Sequence, residues 1–162
     1  MTTLKEQLRE NVNRSLKAHD ELRTSTLRYV LGEIQREEKA GKVEQSFNDE
    51  QVQALLTREV KKRRATAEEY TKLGKAASDK QLAASMRELQ EAAIIEAYLP
   101  KQLSEEDIDA IVAASIKETG AVTIKDMGRV MKSANAAAAA TGSRADGQVL
   151  SGKVREALAA IA

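Results

Sequence analysis

The chain has 162 residues, with no cysteine, one proline, one histidine, four aromatic residues and 26 basic against 25 acidic side chains. These counts exclude thiol nucleophiles, redox pairs and cysteine-based zinc or iron–sulfur sites, and the single His19 excludes a histidine-rich metal cage. Of the hydrophobic residues 27 are alanine and most others are large aliphatics. This is a helical composition, long enough for one or two small domains.

Leu4, Leu8, Val12 and Leu16 recur every four residues behind Thr3-Leu-Lys-Glu6, which has capping-box spacing, so a first helix is expected to about His19. Asp20 serves as N-cap for a second helix carrying Leu22, Leu27, Tyr29, Val30, Leu31 and Ile34 and ending before Gly41. So short a junction predicts an antiparallel hairpin. Asn48, followed by Asp49 and Glu50, opens a long third helix through Val52, Leu55, Leu56, Val60, Tyr70 and Leu73 to Gly74. A fourth begins near Ser78 with Leu82, Met86, Leu89, Ile94 and Ile95 as its apolar residues. Residues 1–97 are read as an N-terminal four-helix domain.

Pro100 biases Leu99 away from helix and places the domain junction there. Beyond it, Leu103-Ser104-Glu-Glu-Asp107-Ile108 combines an N-cap serine, first-turn acids and a hydrophobic staple, for a helix running to Gly120. Thr123-Ile-Lys-Asp126 opens the next, prolonged by Ala136–Ala140 until Gly142, and a last one starts near Asp146 with Val149, Leu150, Val154, Leu158 and Ile161. Residues 98–162 thus form a small three-helix domain, and the fold class is all-α. Gly32, Gly128 and Gly152 fall inside helices, where glycine costs about 1 kcal/mol relative to alanine, and the helices carrying Gly128 and Gly152 are expected to cross closely. No run of about 18 apolar residues occurs, and Met1-Thr-Thr-Leu-Lys-Glu lacks the order of a signal peptide, so a cytoplasmic location is expected.

The motifs of catalysis are absent: no Gly-x-Ser-x-Gly, phosphate-cradling glycine loop or His-Glu-x-x-His accompanies His19. No catalytic residue, metal ligand or cofactor is assigned. The acids from Glu105 to Asp109 have the simpler role of opposing a helix dipole. Basic clusters carry more. At about 100° per residue, Lys125, Arg129 and Lys132 fall within about 60° of one another, opposite Met127, Val130, Met131 and Ala134. From Lys117 to Arg155 the local net charge is +4. Arg144 reaches a phosphate from its loop or pairs with Asp146, while Asp146 caps the last helix. The run Arg58-Glu-Val-Lys-Lys-Arg-Arg64 also carries +4; its Arg63 projects into the apolar stripe, where it snorkels or meets a buried acid. Scattered aromatics disfavour base stacking and favour a folded RNA recognised by its phosphates.

Ala97-Tyr-Leu-Pro100-Lys-Gln-Leu-Ser104-Glu-Glu, Lys125-Asp-Met-Gly-Arg-Val-Met131 and Ser143-Arg-Ala-Asp-Gly147, with Asp20–Arg28 and Glu59–Arg64 upstream, resemble the YqeY family of GatB/YqeY-domain proteins across essentially the whole chain. In this chain Ser143 separates Gly142 from Arg144 where the family pattern has Gly-Arg/Lys-Ala-Asp-Gly. The resemblance implies a two-part helical fold whose C-terminal part is similar to the GatB tail domain of the glutamine-dependent aminoacyl-tRNA amidotransferase, which helps hold tRNA. It also carries the label of a carbon–nitrogen ligase with glutamine as amido-N-donor. Neither the Ser-Ser-Lys arrangement of ammonia release nor the ATP cradle has a counterpart in these residues. The expected function is a tRNA-binding adaptor, with Lys125, Arg129, Lys132, Arg144 and Lys153 as phosphate contacts and Lys61 and Arg64 as a second patch. The alternatives are a component of amide transfer on aminoacyl-tRNA, among tRNA-modifying or aminoacylation machinery, and a protein-interaction module built on the third helix.

Overall fold

Thr3 and Glu6 close on each other: the Thr3 hydroxyl accepts the Glu6 N–H at 3.2 Å and the Glu6 carboxylate accepts the Thr3 N–H at 2.8 Å. This box starts α1 (Leu4–Lys17) in the computed structural model, which describes residues 1–161. The same device opens α3 (Asp49–Lys72) at Asn48, α4 (Asp79–Glu96) at Ser78 and α5 (Glu105–Thr119) at Ser104. Asp20 Oδ1 accepts the Arg23 N–H at the start of α2 (Glu21–Lys39), and Asp146 Oδ1 accepts the N–H groups of Gln148 and Val149 at the start of α7 (Gly147–Ile161). A 3-10 turn over Ile124–Asp126 leads into α6 (Met127–Ala140). The described residues are therefore all-α, and none of their helices is long and apolar enough to cross a membrane.

Helix α1 stops two residues before the predicted His19. The His19 N–H bonds to Leu16 O at 3.1 Å and the Asp20 N–H to Ser15 O at 2.9 Å, a Schellman closure that puts His19 in the left-handed region with φ 56°. Gly120 ends α5 with φ 64°, where a glycine bears no such cost.

The chain divides into two compact units, Met1–Leu99 and the segment from Pro100 onward. The core of the first joins Leu8, Leu27, Val30, Ile34, Val52, Leu56 and Ile95 from all four helices. It contains no residue between Val60 and Ala92, so α3 and α4 continue past it as a two-helix arm. Small and polar groups make the arm's seam: Ala67, Ser85 and Arg63 are buried, and the Ser85 hydroxyl donates to Ala67 O at 3.1 Å. Leu82, Met86 and Leu89, expected as the apolar contribution of α4, are instead exposed, as is Leu73. Their spacing does define a helix face, but α4 turns Ser85, Ala92 and Ile95 inward because small residues let two helices approach closely.

In the second unit Ile108, Val112, Val130, Ala134, Leu150, Val154 and Leu158 form the core, with Leu103, Met127 and Met131 packed against it. Val149 and Ile161 lie off the buried Leu150–Val154–Leu158 row and are exposed. The segment before α5 pairs with the loop before α7: the Arg144 N–H donates to Lys101 O at 3.1 Å and the Leu103 N–H to Arg144 O at 2.8 Å. The expected close crossing at Gly128 and Gly152 does not occur. A Cβ built on either meets nothing within 4 Å beyond its own helix turn, because the facing side chains that fill the core come from other rows.

Candidate nucleic-acid interface

The outward face of α6 is set by what the opposite face buries. Val130 and Ala134 are fully buried and Met127 and Met131 half-buried, which leaves Lys125, Gly128, Arg129 and Lys132 exposed. Lys125 lies in the 3-10 turn and Lys132 in the second turn of α6, so the two residues are separated along the axis by about 10 Å at 1.5 Å per residue. Neither lysine makes a side-chain hydrogen bond or ion pair among the described residues. Both side chains face solvent.

Arg129 does not share that state. Its Nη2 pairs with Asp126 Oδ1 at 2.5 Å and its Nη1 donates to Thr119 O at 3.3 Å, so it straps the last carbonyls of α5 to the first turn of α6. Asp126 also accepts the N–H groups of Val122 at 3.0 Å and Thr123 at 3.1 Å through Oδ2. The Val122 amide above all, then the Arg129 guanidinium and the Thr123 amide, hold the Asp126 carboxyl far below the usual carboxylate range. An acid therefore does touch the basic stripe. The i, i+3 spacing of Asp126 and Arg129 was the available sign of it. Beside the stripe, Glu118 accepts a hydrogen bond from Ser133 at 2.9 Å and, with Arg129, Lys132, Ala136 and Ala137, lines a shallow groove of about 510 Å³.

Lys153 belongs to another face. Its ammonium lies 3.1 Å from Asp109 and 4.0 Å from Glu105 on α5, and the hydrogen bond to Asp109 holds it above its ordinary value. Two of the acids early in α5 thus offset this cation in space as well as in sequence. Arg144 is half-buried in its loop, pinned through its backbone to Lys101 and Leu103. In the first unit Lys61 is exposed, and Arg64 is paired with Glu96. Lys125, Arg129 and Lys132 are therefore the candidates that one face of the second unit brings together; in the same unit Arg144 lies in the loop before α7 and Lys153 on α7, while Lys61 and Arg64 belong to α3 of the first unit.

Arg63 meets acids from both helices of the arm, Glu59 at 2.5 Å and Glu91 at 3.2 Å, and its guanidinium lies 4.9 Å from the Tyr29 ring centroid. This basic run is thus partly a structural knot. His19 is exposed beside Ser15 and Thr24, but the Thr24 hydroxyl bonds to Ser15 Oγ and the Ser15 hydroxyl donates to Val12 O. No hydrogen bond joins either to the imidazole among the described residues. Nor do the described residues contain a group of three or more His, Cys, Asp or Glu side chains able to hold a metal ion.

No curated protein matches the sequence significantly. The model of a family described as Yqey-like protein matches residues 5–158, from the second residue of α1 to the buried Leu158 of α7. A match over both units and nearly the whole length, together with the all-α architecture, places this chain in the YqeY family.

Proposed function

We propose that this protein is a non-catalytic adaptor that binds structured RNA, tRNA first among candidates, through phosphate contacts along the exposed face of α6. The observation that carries the reading is the pair Lys125 and Lys132: two cations on one helix face with no acid spent on them. Lysine is a compact point charge suited to a phosphate, and desolvating it costs least where no existing ion pair must first be broken. Arg129, already bonded to Asp126 and Thr119, holds the two turns that present the lysines. The likeness to the GatB tail domain of the amidotransferase points the same way, towards tRNA.

The test is the affinity of the full chain for unfractionated tRNA across a salt series. The slope of log K against log salt falls by about 0.7–0.9 for each phosphate contact removed, so Lys125→Ala/Lys132→Ala should lower it by roughly 1.4–1.8. Binding without salt dependence, or an unchanged slope in the double variant, would sink the proposal. Glutamine-dependent formation of amidated aminoacyl-tRNA by the purified chain alone would replace it with the amide-transfer reading.

A further inference from the structure

Helix α4 is turned against its own composition. Its large apolar side chains Leu82, Met86 and Leu89 are 47, 63 and 50% exposed, while Ser85 and Ala92 are buried. With the exposed Ala93 they form a row at spacings of four, three and four residues, about 17 Å long at 1.5 Å per residue. Four charged residues fall between Asp79 and Glu96: Lys80, Arg87, Glu88 and Glu91. At about 100° per residue all four lie at least about 130° from the centre of the row. A continuous uncharged apolar row on one helix marks a surface that another helix covers.

We propose that the occupant is α4 of a second copy of this chain, laid antiparallel about a two-fold axis that passes between Met86 and Leu89. An isologous contact needs a patch that maps onto itself when reversed. The spacing of this row does so: Leu82 faces Ala93 of the second copy and Met86 faces Leu89, large against small at the ends and large against large at the centre. Charges beyond the row select the direction. Asp79 stands three residues before Leu82, and Glu96 three after Ala93 with its carboxylate on Arg64 of α3. Antiparallel pairing brings Asp79 of each copy level with the Arg64–Glu96 pair of the other, where a half-exposed guanidinium has donors enough for a second carboxylate. Parallel pairing would set Asp79 against Asp79. The row covers about 200 Å² per copy at a helix width of about 11 Å, against about 800 Å² per partner in a standard interface, so the dimer is a transient one.

Cysteine pairing in the full chain tests both the contact and its direction, because the sequence has no cysteine of its own. Leu82→Cys mixed with Ala93→Cys should give the mixed disulfide on mild oxidation. Leu82→Cys alone should not, since a bridge needs Cα atoms within about 7 Å and its two copies stand about 17 Å apart along the axis. Sedimentation equilibrium should show a monomer–dimer mixture at about 0.1–1 mM protein. Met86→Glu/Leu89→Glu should raise the dissociation constant at least about tenfold with the urea midpoint unchanged, as both positions are exposed in the monomer. Arg64→Gln should weaken the dimer a few-fold, because Asp79 then meets Glu96 with no cation between them. A chain that stays monomeric to about 1 mM overturns the inference and leaves the row for a partner of another kind. Disulfides from Leu82→Cys alone, or a dimer indifferent to the glutamate variant, overturn it as well. Should that variant lose stability, the cysteine pairs and Arg64→Gln decide.

Discussion

Arg63 and Glu91, 28 residues apart in the sequence, meet at 3.2 Å across the seam of α3 and α4 with their side chains almost entirely out of solvent. Glu59 completes the group from one turn below Arg63, and Arg87 reaches Glu91 from the same helix. The guanidinium fork can hold two carboxylates at once, and the face of Tyr29 covers it.

Removing Arg63 should therefore cost more than removing any surface cation. Arg63→Ala strands the buried Glu59 carboxylate and leaves Glu91 to Arg87 alone, and is expected to destabilise the protein by about 3–5 kcal/mol, while Arg63→Lys, which keeps the charge but not the fork, should fall in between. Replacing Glu59, Arg63 and Glu91 together by methionine should recover most of the loss. Urea unfolding of the three variants checks this; a triple variant no better than Arg63→Ala would show that the ion pairs, rather than the stranded charges, set the cost.

His19 adopts φ 56° to close α1 against α2, a conformation about 1–2 kcal/mol less favourable for an L-residue than for glycine. His19→Gly should raise stability by about 0.5–1 kcal/mol, less than the full relief because glycine is also freer in the unfolded chain. A β-branched residue such as valine should lower it. An upward shift of the urea midpoint without change of its slope is the expected result, and no shift would mean that the imidazole itself holds the turn.

Asp126 should make the second unit sensitive to acid. Its folded carboxyl titrates well below the unfolded value of about 3.9, so its contribution is fully present above about pH 4 and is lost as pH falls from there towards the folded value. Asp126→Asn should be less stable than wild type at neutral pH, and the two should converge as the pH is lowered below about 4. The same variant releases Arg129 from its ion pair. A stability difference that does not change with pH would contradict the role given to the Val122 and Thr123 amides.

Much of the architecture was legible without coordinates because it is local. Capping at Thr3, Asp20, Asn48, Ser78, Ser104 and Asp146 depends on side chains bonding to backbone two or three residues away, and the buried rows of α6, α7 and the first three turns of α1 follow from periodicity, although Leu16, expected to continue the α1 row, is exposed and Ser15 is buried in its place. Several outcomes depended on neighbours that no local pattern names. The seam of the α3–α4 arm selected Ala67 and Ser85 over Leu82, Met86 and Leu89, because helix approach distance outweighed side-chain hydrophobicity. The basic stripe divided in the same way. Its residue types and spacing, the i, i+3 pair of Asp126 and Arg129 included, were set by sequence, but tertiary structure decided that Arg129 would also bond to Thr119, that Lys153 would be spent on Asp109 and Arg64 on Glu96, and that Lys125 and Lys132 would face solvent. A charge is placed on the map by the chain; whether it is available to a partner depends on which opposite charges the packed helices bring within a few ångströms.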